Sequence, residues 1–442
     1  MSLVSGFRHG VHPAEAKQLT NQLPIRRMPF PDEIVLPLRQ HAGKPAKLCV
    51  KVGDHVERGD PVGLADGFIS VPIHSSAAGT VKEICWWPHP DGSMALSVRI
   101  AVDRHAPQLP RPRLVPRWEG LTTEEVVRAV QQAGVVGLGG AAFPTHVKLA
   151  PPPDLPVHTL IINGAECEPY LTSDHRTMAE FPGRVMFGIR VMMHAMGVKK
   201  CVVGIERNKP DAIAAMQAAV PTDLDVTILP LRVKYPQGAE KMLIQAVTGV
   251  EVPSGKLPVT TGVVVQNVGS VAAIAEVFET GLPLIERIVT VTGNGLRRPA
   301  NLIVPVGTKL RDLLAHCEGL TPDAAEVIVG GPMMGTPQAN LDAPVIKGTT
   351  GIVVLERSEV RLEASYPCIH CGRCLDACPI FLNPSLLGDL ARVERYQEMT
   401  DHNLADCMLC GSCAYVCPSN IPLSQLFQLS KAALRRVPVV AA

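Results

Sequence analysis

The sequence predicts a multidomain α/β and α+β chain, and three observations predict it. Residues 30 to 105 are short β-prone pieces punctuated by glycine and proline. From Thr122 onward apolar strand-like runs alternate with helical stretches. Near the C-terminus eight cysteines fall in two matching runs, joined by a helical link. At 442 residues the chain is long enough for about three or more domains. The expected divisions are 1–110, 111–280, 281–358 and 359–442.

Composition excludes several functions. Lys+Arg number 42 against 41 Asp+Glu, so the basic excess of a nucleic-acid binder is missing. Aromatics are 4%, too few for a base-stacking platform, and 46% hydrophobic residues exclude general disorder. The longest uncharged apolar run, Val259 to Ala275, is broken by Gln266, Asn267, Ser270 and glycines. It falls short of the ~18 apolar residues of a membrane span. Met1 to Gly10 carries no apolar core of signal-peptide type. The expectation is a chain on the cytoplasmic side, with no direct membrane span, able to dock on a membrane partner.

In the first module, Val50-Lys-Val-Gly53 to Val62-Gly63 and Val71 to Val81 resemble the half-motifs of biotinyl/lipoyl-type barrel-sandwich domains. Those domains carry a modified lysine at the hairpin between the halves. Here the hairpin, Ala65-Asp-Gly-Phe-Ile-Ser70, has no lysine, so the module reads as structural or docking. A proline-rich connector, His105 to Arg117, follows as a semi-rigid linker.

A helix is predicted to begin at Thr122-Thr-Glu-Glu, with Val126, Val127 and Val130 facing the core. Then comes Gly134-Val-Val-Gly137-Leu-Gly139-Gly140-Ala-Ala-Phe143-Pro144-Thr145-His-Val-Lys148. Its glycines let backbone N–H groups approach an anion, and Pro144 suits the first turn of a helix. A phosphate cradle and a structural turn both fit; neither the P-loop pattern nor the Rossmann fingerprint does. The run His158-Thr-Leu-Ile-Ile162 exits into Asn163-Gly-Ala-Glu166-Cys-Glu168-Pro169. At the exit of an α/β strand, two carboxylates and an amide suit a ligand edge, and they also suit a polar turn. Cys201 to Ile205 and Leu224 to Leu229 read as further strands, with a helix from Pro210 to Val220 between them. After them, Ile288 to Gly295, Asn301 to Thr308, Leu310 to Leu314 and Glu326 to Gly330 give a β-β-α-β order, suggesting a small β-grasp-like unit.

The cysteine runs are Cys368-x2-Cys371-x2-Cys374-x3-Cys378-Pro and Cys407-x2-Cys410-x2-Cys413-x3-Cys417-Pro. The copies are offset by 39 residues throughout (407 − 368 = 417 − 378 = 39). Three thiolates at this spacing wrap three corners of a cubane, and the fourth, before proline, ligates the other cluster. Cys368, Cys371, Cys374 and Cys417 are therefore assigned to one [4Fe-4S] cluster, and Cys407, Cys410, Cys413 and Cys378 to the second. Zinc sites use paired rather than triplet spacing, and disulfides do not suit a cytosolic chain. Between the runs, Leu386, Leu387, Leu390 and Val393 recur at helical spacing, which predicts a helix-rich dicluster domain. The five scattered cysteines are expected to be core residues.

Taken in this order, the pieces resemble the RnfC family, a component of the Rnf (ion-translocating ferredoxin:NAD oxidoreductase) complex. The likeness includes the opening Gly10-Val-His-Pro13 and covers nearly the whole chain. The family's α/β core is similar to the NADH-oxidising flavoprotein of respiratory complex I. The resemblance implies an FMN cradle at Gly137, Gly139, Gly140 and Lys148, with Phe143 near the nucleotide. It implies an acidic flavin and NAD(H) loop at Asn163, Glu166 and Glu168. A third contact loop would hold Tyr235, Gly238 and Glu240, and a fourth Gln266 and Asn267. Residues 281–358 would form a soluble-ligand-binding β-grasp domain. Leu138, Ala165 and Ala239 stand where complex I has Arg, Asp and Glu, which implies a less charged site.

The implied function is that of a peripheral electron-transfer protein on the cytoplasmic side of the inner membrane. It would exchange electrons between NAD(H) and, indirectly, ferredoxin through FMN and two [4Fe-4S] clusters. Its partners would be the other membrane and iron–sulfur subunits of an Rnf translocase. NADH delivers two electrons as hydride and a cluster takes one, so a flavin has to stand between them. Glu166, Glu168 and Glu240 would orient the nucleotide and tune the flavin. Two other readings fit the same residues: a corrinoid reductase of bacterial microcompartments, and a flavin-less two-cluster adaptor.

Overall fold

The computed structural model describes residues 6–109, 118–360 and 363–436. The proline-rich connector lies outside the described residues from 110 to 117.

The first module is two facing sheets. Glu33–Pro37, Met94–Val102, Gly79–Pro88 and His55–Val56 form an antiparallel sheet in that spatial order. Lys47–Leu48, Pro61–Leu64 and Ile73–His74 form the other. Alternating apolar residues from both, including Ile34, Leu36, Val62, Ile73, Val98 and Ile100, fill the space between them and are wholly buried. The turn that would carry a lipoyl-lysine instead packs Phe68 edge-on against His146, whose Nε2 lies 2.7 Å from the Phe68 carbonyl. The module thus abuts the helix that follows the glycine-rich loop.

The central sheet is all parallel, in the order Asp225–Leu231, Lys200–Glu206, Thr159–Gly164, Val263–Asn267. Its strands are continuous apolar runs because helices cover both faces. Pro182–Met196 and Val268–Thr280 pack on one face and Glu240–Thr248 on the other. The first two helices approach closely at Gly188, where a Cβ would sit 2.2 Å from the Val271 carbonyl oxygen. The expected helix after Thr122 runs Thr123–Gln132. Thr122 and Glu125 complete a reciprocal capping box at its start. The fourth strand, Val263–Asn267, lies within the apolar run that is too broken for a membrane span.

The sheet order bears on function. Thr159–Gly164 is flanked by Lys200–Glu206 on one side and Val263–Asn267 on the other, so the chain reverses direction of growth at this strand. The crevice beyond the C-terminal ends of such a pair is where open α/β sheets bind ligands.

The third unit keeps the expected β-β-α-β order: Glu286–Thr292, Ala300–Pro305, Leu310–His316 and Ala324–Val329. Two strands complete it, Thr336–Pro337 and Gly351–Glu356. A sixth, Ile25–Arg27, comes from the N-terminal stretch and pairs parallel with Ala300–Pro305.

The C-terminal unit is helical, with Arg373–Ala377, Pro384–Arg392, Tyr396–Asp401, Ser412–Tyr415 and Leu423–Arg436 around Leu387, Met399, Leu404 and Phe427. The 39-residue repeat recurs in the backbone. Positive φ occurs at His370 and Leu409, at Gly372 and Gly411, and at Phe381 and Asn420, each pair 39 apart (409 − 370 = 411 − 372 = 420 − 381). Gly372 and Gly411 occupy matching places in the two runs, where lack of bulk leaves room beside the cysteines. At Gly372 the added reason is conformational: φ is +76° with nothing within 4 Å of a built Cβ. At Gly411 both reasons hold, because a Cβ would also meet the Met333 carbonyl at 2.6 Å.

The expectation of five core cysteines holds only for Cys201 and Cys317. Cys49 is exposed, Cys85 is half-buried, and Cys167 lies in the wall of a cleft.

Candidate functional site

A cleft of about 720 Å³ opens over the C-terminal ends of the parallel strands. Its volume lies within the range of small-molecule sites. Three units contribute walls. The central domain supplies Gly139, Gly140, Asn163, Glu166, Glu168, Tyr235, Gly238, Glu240 and Asn267. The barrel-sandwich supplies the stretches around Arg39 and His89, and the β-grasp unit supplies Gly330, Gly331 and Met334. The four loops anticipated from sequence therefore converge on one space, because each leaves the same sheet edge or abuts it.

Not every anticipated residue faces that space. Gly137, Phe143, Lys148 and Gln266 are not among the cleft-lining residues. Gly137 shapes the loop, its N–H donating to the Phe143 carbonyl at 2.7 Å. The Lys148 ammonium donates to Glu240 Oε1 at 2.7 Å and to the Val265 carbonyl at 3.1 Å. Gln266 is buried, and its Nε2 has no hydrogen-bond partner in the protein.

The carboxylates are held differently from one another. Glu166 has φ +46°, and its side chain accepts from the Asp174 and His175 N–H groups at 2.7 and 3.0 Å. It thereby caps the helix Ser173–Glu180 while lining the cleft. Asp174, which the sequence reading passed over, is buried beside it, and that burial together with the Glu166 charge raises its carboxyl. Glu168 Oε2 accepts from the Met333 N–H at 3.1 Å, and its Oε1 has no hydrogen-bond partner in the protein. A Cβ on Gly331 would lie 2.2 Å from Glu168 Oε2, so only glycine leaves room for it.

Burial pushes the Glu168 carboxyl from 4.5 up to about 7. Across that window the folded protein keeps a proton that the unfolded chain has released. Its contribution to stability therefore falls as pH rises from about 4.5 through about 7. Glu168→Gln removes this titration. Chemical denaturation of both proteins from pH 5 to 8 should show wild type losing about 2–3 kcal/mol relative to the variant.

Two lysines that sequence reasoning missed hold the acidic loop from below. Lys17 is buried, and its ammonium donates to the carbonyls of Glu166, Glu168 and Leu171 at 2.9, 2.8 and 2.5 Å. Lys209 donates to the Ala165 carbonyl at 2.7 Å and to Glu206 Oε2 at 3.0 Å, with both side chains almost fully buried. The opening Gly10-Val-His-Pro13 serves the same region. Val11 and Tyr235 exchange backbone hydrogen bonds of 2.8 and 2.9 Å, fixing the third loop. No local signal marks Lys17, because its partners lie about 150 residues away.

The eight cysteines gather into two sets. Cys368, Cys371, Cys374 and Cys417 line one small cavity, and Cys378, Cys407, Cys410 and Cys413 line another. Each trailing cysteine has crossed to the opposite set. Thiols ringing a cavity suit a polynuclear iron–sulfur body, and cysteine is its usual ligand. Among the described residues no group of three His, Cys, Asp or Glu is close enough for a single metal ion. The two sets differ in surroundings. Cys371 is exposed, whereas Cys410 and Cys413 are buried. Met408 lines both the second cavity and the cleft, and the Tyr235 hydroxyl donates to the Cys410 carbonyl at 2.7 Å. Lys241 and Asp406, 3.1 Å apart, tie the two units together nearby.

The cleft also suits a flavin nucleotide. It presents a buried polar atom without a partner, Glu168 Oε1, in its wall. The glycine-rich loop approaches closely: a Cβ on Gly139 would meet the Asn267 side chain at 3.3 Å, and Gly140 has φ +106° with open space beside it. Backbone N–H groups in such a loop favour phosphate.

Comparison with known proteins agrees with this geometry. Residues 130–276 match the Nuo51 FMN-binding domain, 5–105 the RnfC barrel sandwich hybrid domain, 288–337 the SLBB domain and 367–421 the 4Fe-4S dicluster domain. The chain is 44% identical to the C-subunit of the proton-translocating ferredoxin:NAD(+) oxidoreductase complex of Clostridium ljungdahlii, over 91% of this chain and 88% of that protein. It is 41% identical to the Na(+)-translocating counterpart of Acetobacterium woodii, over 90% of each. With the C-subunit of the ion-translocating oxidoreductase complex of Rhodobacter capsulatus it shares 42% identity, over 97% of this chain and 83% of that one.

Proposed function

Because the chain belongs to the RnfC family of ion-translocating ferredoxin:NAD(+) oxidoreductase complexes, we propose that it exchanges electrons between NAD(H) and the other subunits of such a complex. Its cofactors are FMN and two [4Fe-4S] clusters. Bound FMN supplies the change from two-electron to one-electron chemistry. The observation that carries the reading is the shared wall: Met408 separates the nucleotide cleft from the second cysteine set, and Tyr235 bridges the same boundary.

Each residue's part follows from its position. Gly139 and Gly140 leave room for a phosphate against backbone N–H groups. Asn163 holds the acidic loop to the third loop through a 2.8 Å bond to the Gly238 carbonyl. Glu168, with a free oxygen in a buried setting, faces the nucleotide and sets the local charge. Glu166 positions the loop by capping a helix, and Glu240 holds Lys148. None of these has to act as an acid or base for hydride transfer.

Among the described residues no helix is long and apolar enough to cross a membrane. The naming of the relatives as subunits of ion-translocating complexes supports a peripheral place on the cytoplasmic side, held by membrane and iron–sulfur partners, with ferredoxin reached through them. The names of the relatives favour this reading over a corrinoid reductase, and the nucleotide cleft favours it over a flavin-less adaptor.

Glu168→Gln tests the assignment. After FMN addition, NADH-dependent reduction of a one-electron dye should fall about tenfold or more, while the visible absorbance of the clusters stays intact. A variant with full dye reduction, or one that has lost its clusters, would contradict this role for Glu168.

A further inference from the structure

The cleft has an unbalanced charge inventory for a site that holds nucleotides. Its lining carboxylates are Asp91, Glu166, Glu168, Asp174 and Glu240, whereas Arg39 is the one Lys or Arg among the described lining residues. The glycine-rich loop contributes no cation to the space. Leu138 is buried, with its N–H donating to Ser270 Oγ, and Lys148 pairs with Glu240 and is not among the lining residues. Burial lowers His41, the lining histidine of the same stretch, and so favours its neutral form.

Arg39 comes from the barrel-sandwich, and the structure fixes its approach. The Ala42 N–H donates to the Ala142 carbonyl at 3.1 Å, which joins the stretch after Arg39 to the glycine-rich loop. On the other side, Gln338 donates to the Pro90 carbonyl at 2.8 Å, which joins the module to the β-grasp unit. The Arg39 carbonyl is 2.9 Å from His89 Nε2. Its guanidinium uses one N–H for Asp91 and one for Ser93, both at 2.7 Å. Three of its five N–H donors are left for a ligand, in the planar arrangement that suits phosphate oxygens.

We propose that the barrel-sandwich is a working wall of the nucleotide site, with Arg39 binding the phosphate of a nucleotide in the cleft. This rests on the nucleotide reading of the cleft. The phosphate could be that of FMN or the pyrophosphate of NAD(H), and the two are separable by experiment.

The test uses the full chain with its clusters, reconstituted with FMN. Arg39→Ala should weaken FMN binding about ten- to a hundredfold if Arg39 holds the flavin phosphate. Riboflavin, which lacks the phosphate, should then bind both proteins alike. If Arg39 holds the pyrophosphate, the KM for NADH should rise by a similar factor at saturating FMN, with kcat little changed. Arg39→Lys should recover part of either loss, because it keeps the charge without the fork. Asp91→Asn keeps an acceptor for Arg39 while removing the carboxylate charge, and should cost either ligand far less than Arg39→Ala does. FMN and NADH constants unchanged in Arg39→Ala would overturn the proposal. So would equal losses in Arg39→Ala and Asp91→Asn, since the pair would then act only by holding the module together. A wild type that bound FMN but did not react with NADH would instead count against the proposed function.

Discussion

Replacing Cys378 with Ser should remove one cluster, and not the cluster that its place in the sequence suggests. Cys378 closes the first run, yet it lies with Cys407, Cys410 and Cys413 around the second cavity. Its sulfur also receives the Leu382 N–H at 3.4 Å, which fixes the side chain in that direction. Serine is a poor substitute for a thiolate on iron. Iron content should fall by about half, and the remaining signal should be that of the set containing the exposed Cys371. NADH should still bleach the flavin but no longer reduce the remaining cluster, because only the second cavity shares a wall with the cleft. Cys417→Ser is the mirror case. It should lose the other cluster and leave the one beside Met408 reducible. Iron analysis and EPR of the two variants check both statements. A Cys378→Ser protein whose surviving cluster depends on Cys407 would contradict the crossed assignment.

Lys17→Met should have the largest effect of any substitution outside the cleft and clusters. The ammonium satisfies three buried carbonyls at once, in the segment that carries Glu166 and Glu168. Methionine fills similar volume but donates nothing. Each carbonyl left buried without a donor costs about 1–3 kcal/mol, and the loop will shift to recover part of that. We expect a net loss of about 3–5 kcal/mol, below the full sum for three carbonyls because burying the Lys17 charge itself costs stability. A displacement of about 1 Å in a positioning loop is enough to lower activity about a hundredfold. FMN titration and urea denaturation read the two effects separately. The cluster absorbance should survive, because neither cysteine cavity includes Lys17. Full FMN affinity in this variant would show that the lysine does not position the loop.

The parts legible in the sequence were those with local causes. Cysteine spacing reports ligand geometry over a dozen residues, and the 39-residue offset reappears in paired backbone angles from His370 and Leu409 onward. The strand Thr159–Gly164, the capped helix after Thr122 and the ββαβ unit each follow from patterns within one element. The hidden parts depend on distant partners. Lys17 looks like any surface lysine until the fold brings the acidic loop over it. Val263–Asn267 reads as a broken apolar run until it pairs with Thr159–Gly164. Arg39 sits in a module whose missing lysine suggested a passive role, and only the packing of three units shows that it faces the cleft. Lys148 stands beside the glycine-rich loop in the sequence, and only the fold shows that its ammonium pairs with Glu240 of the third loop.

The central claim is that electrons pass between the nucleotide cleft and the cysteine set beside Met408. An anaerobic titration of the FMN-reconstituted chain with NADH, followed by visible absorbance and low-temperature EPR, tests it most directly. The account predicts bleaching of the flavin and then a reduced-cluster signal that Cys378→Ser abolishes. Clusters that dithionite reduces but NADH does not, with the flavin unbleached, would contradict it.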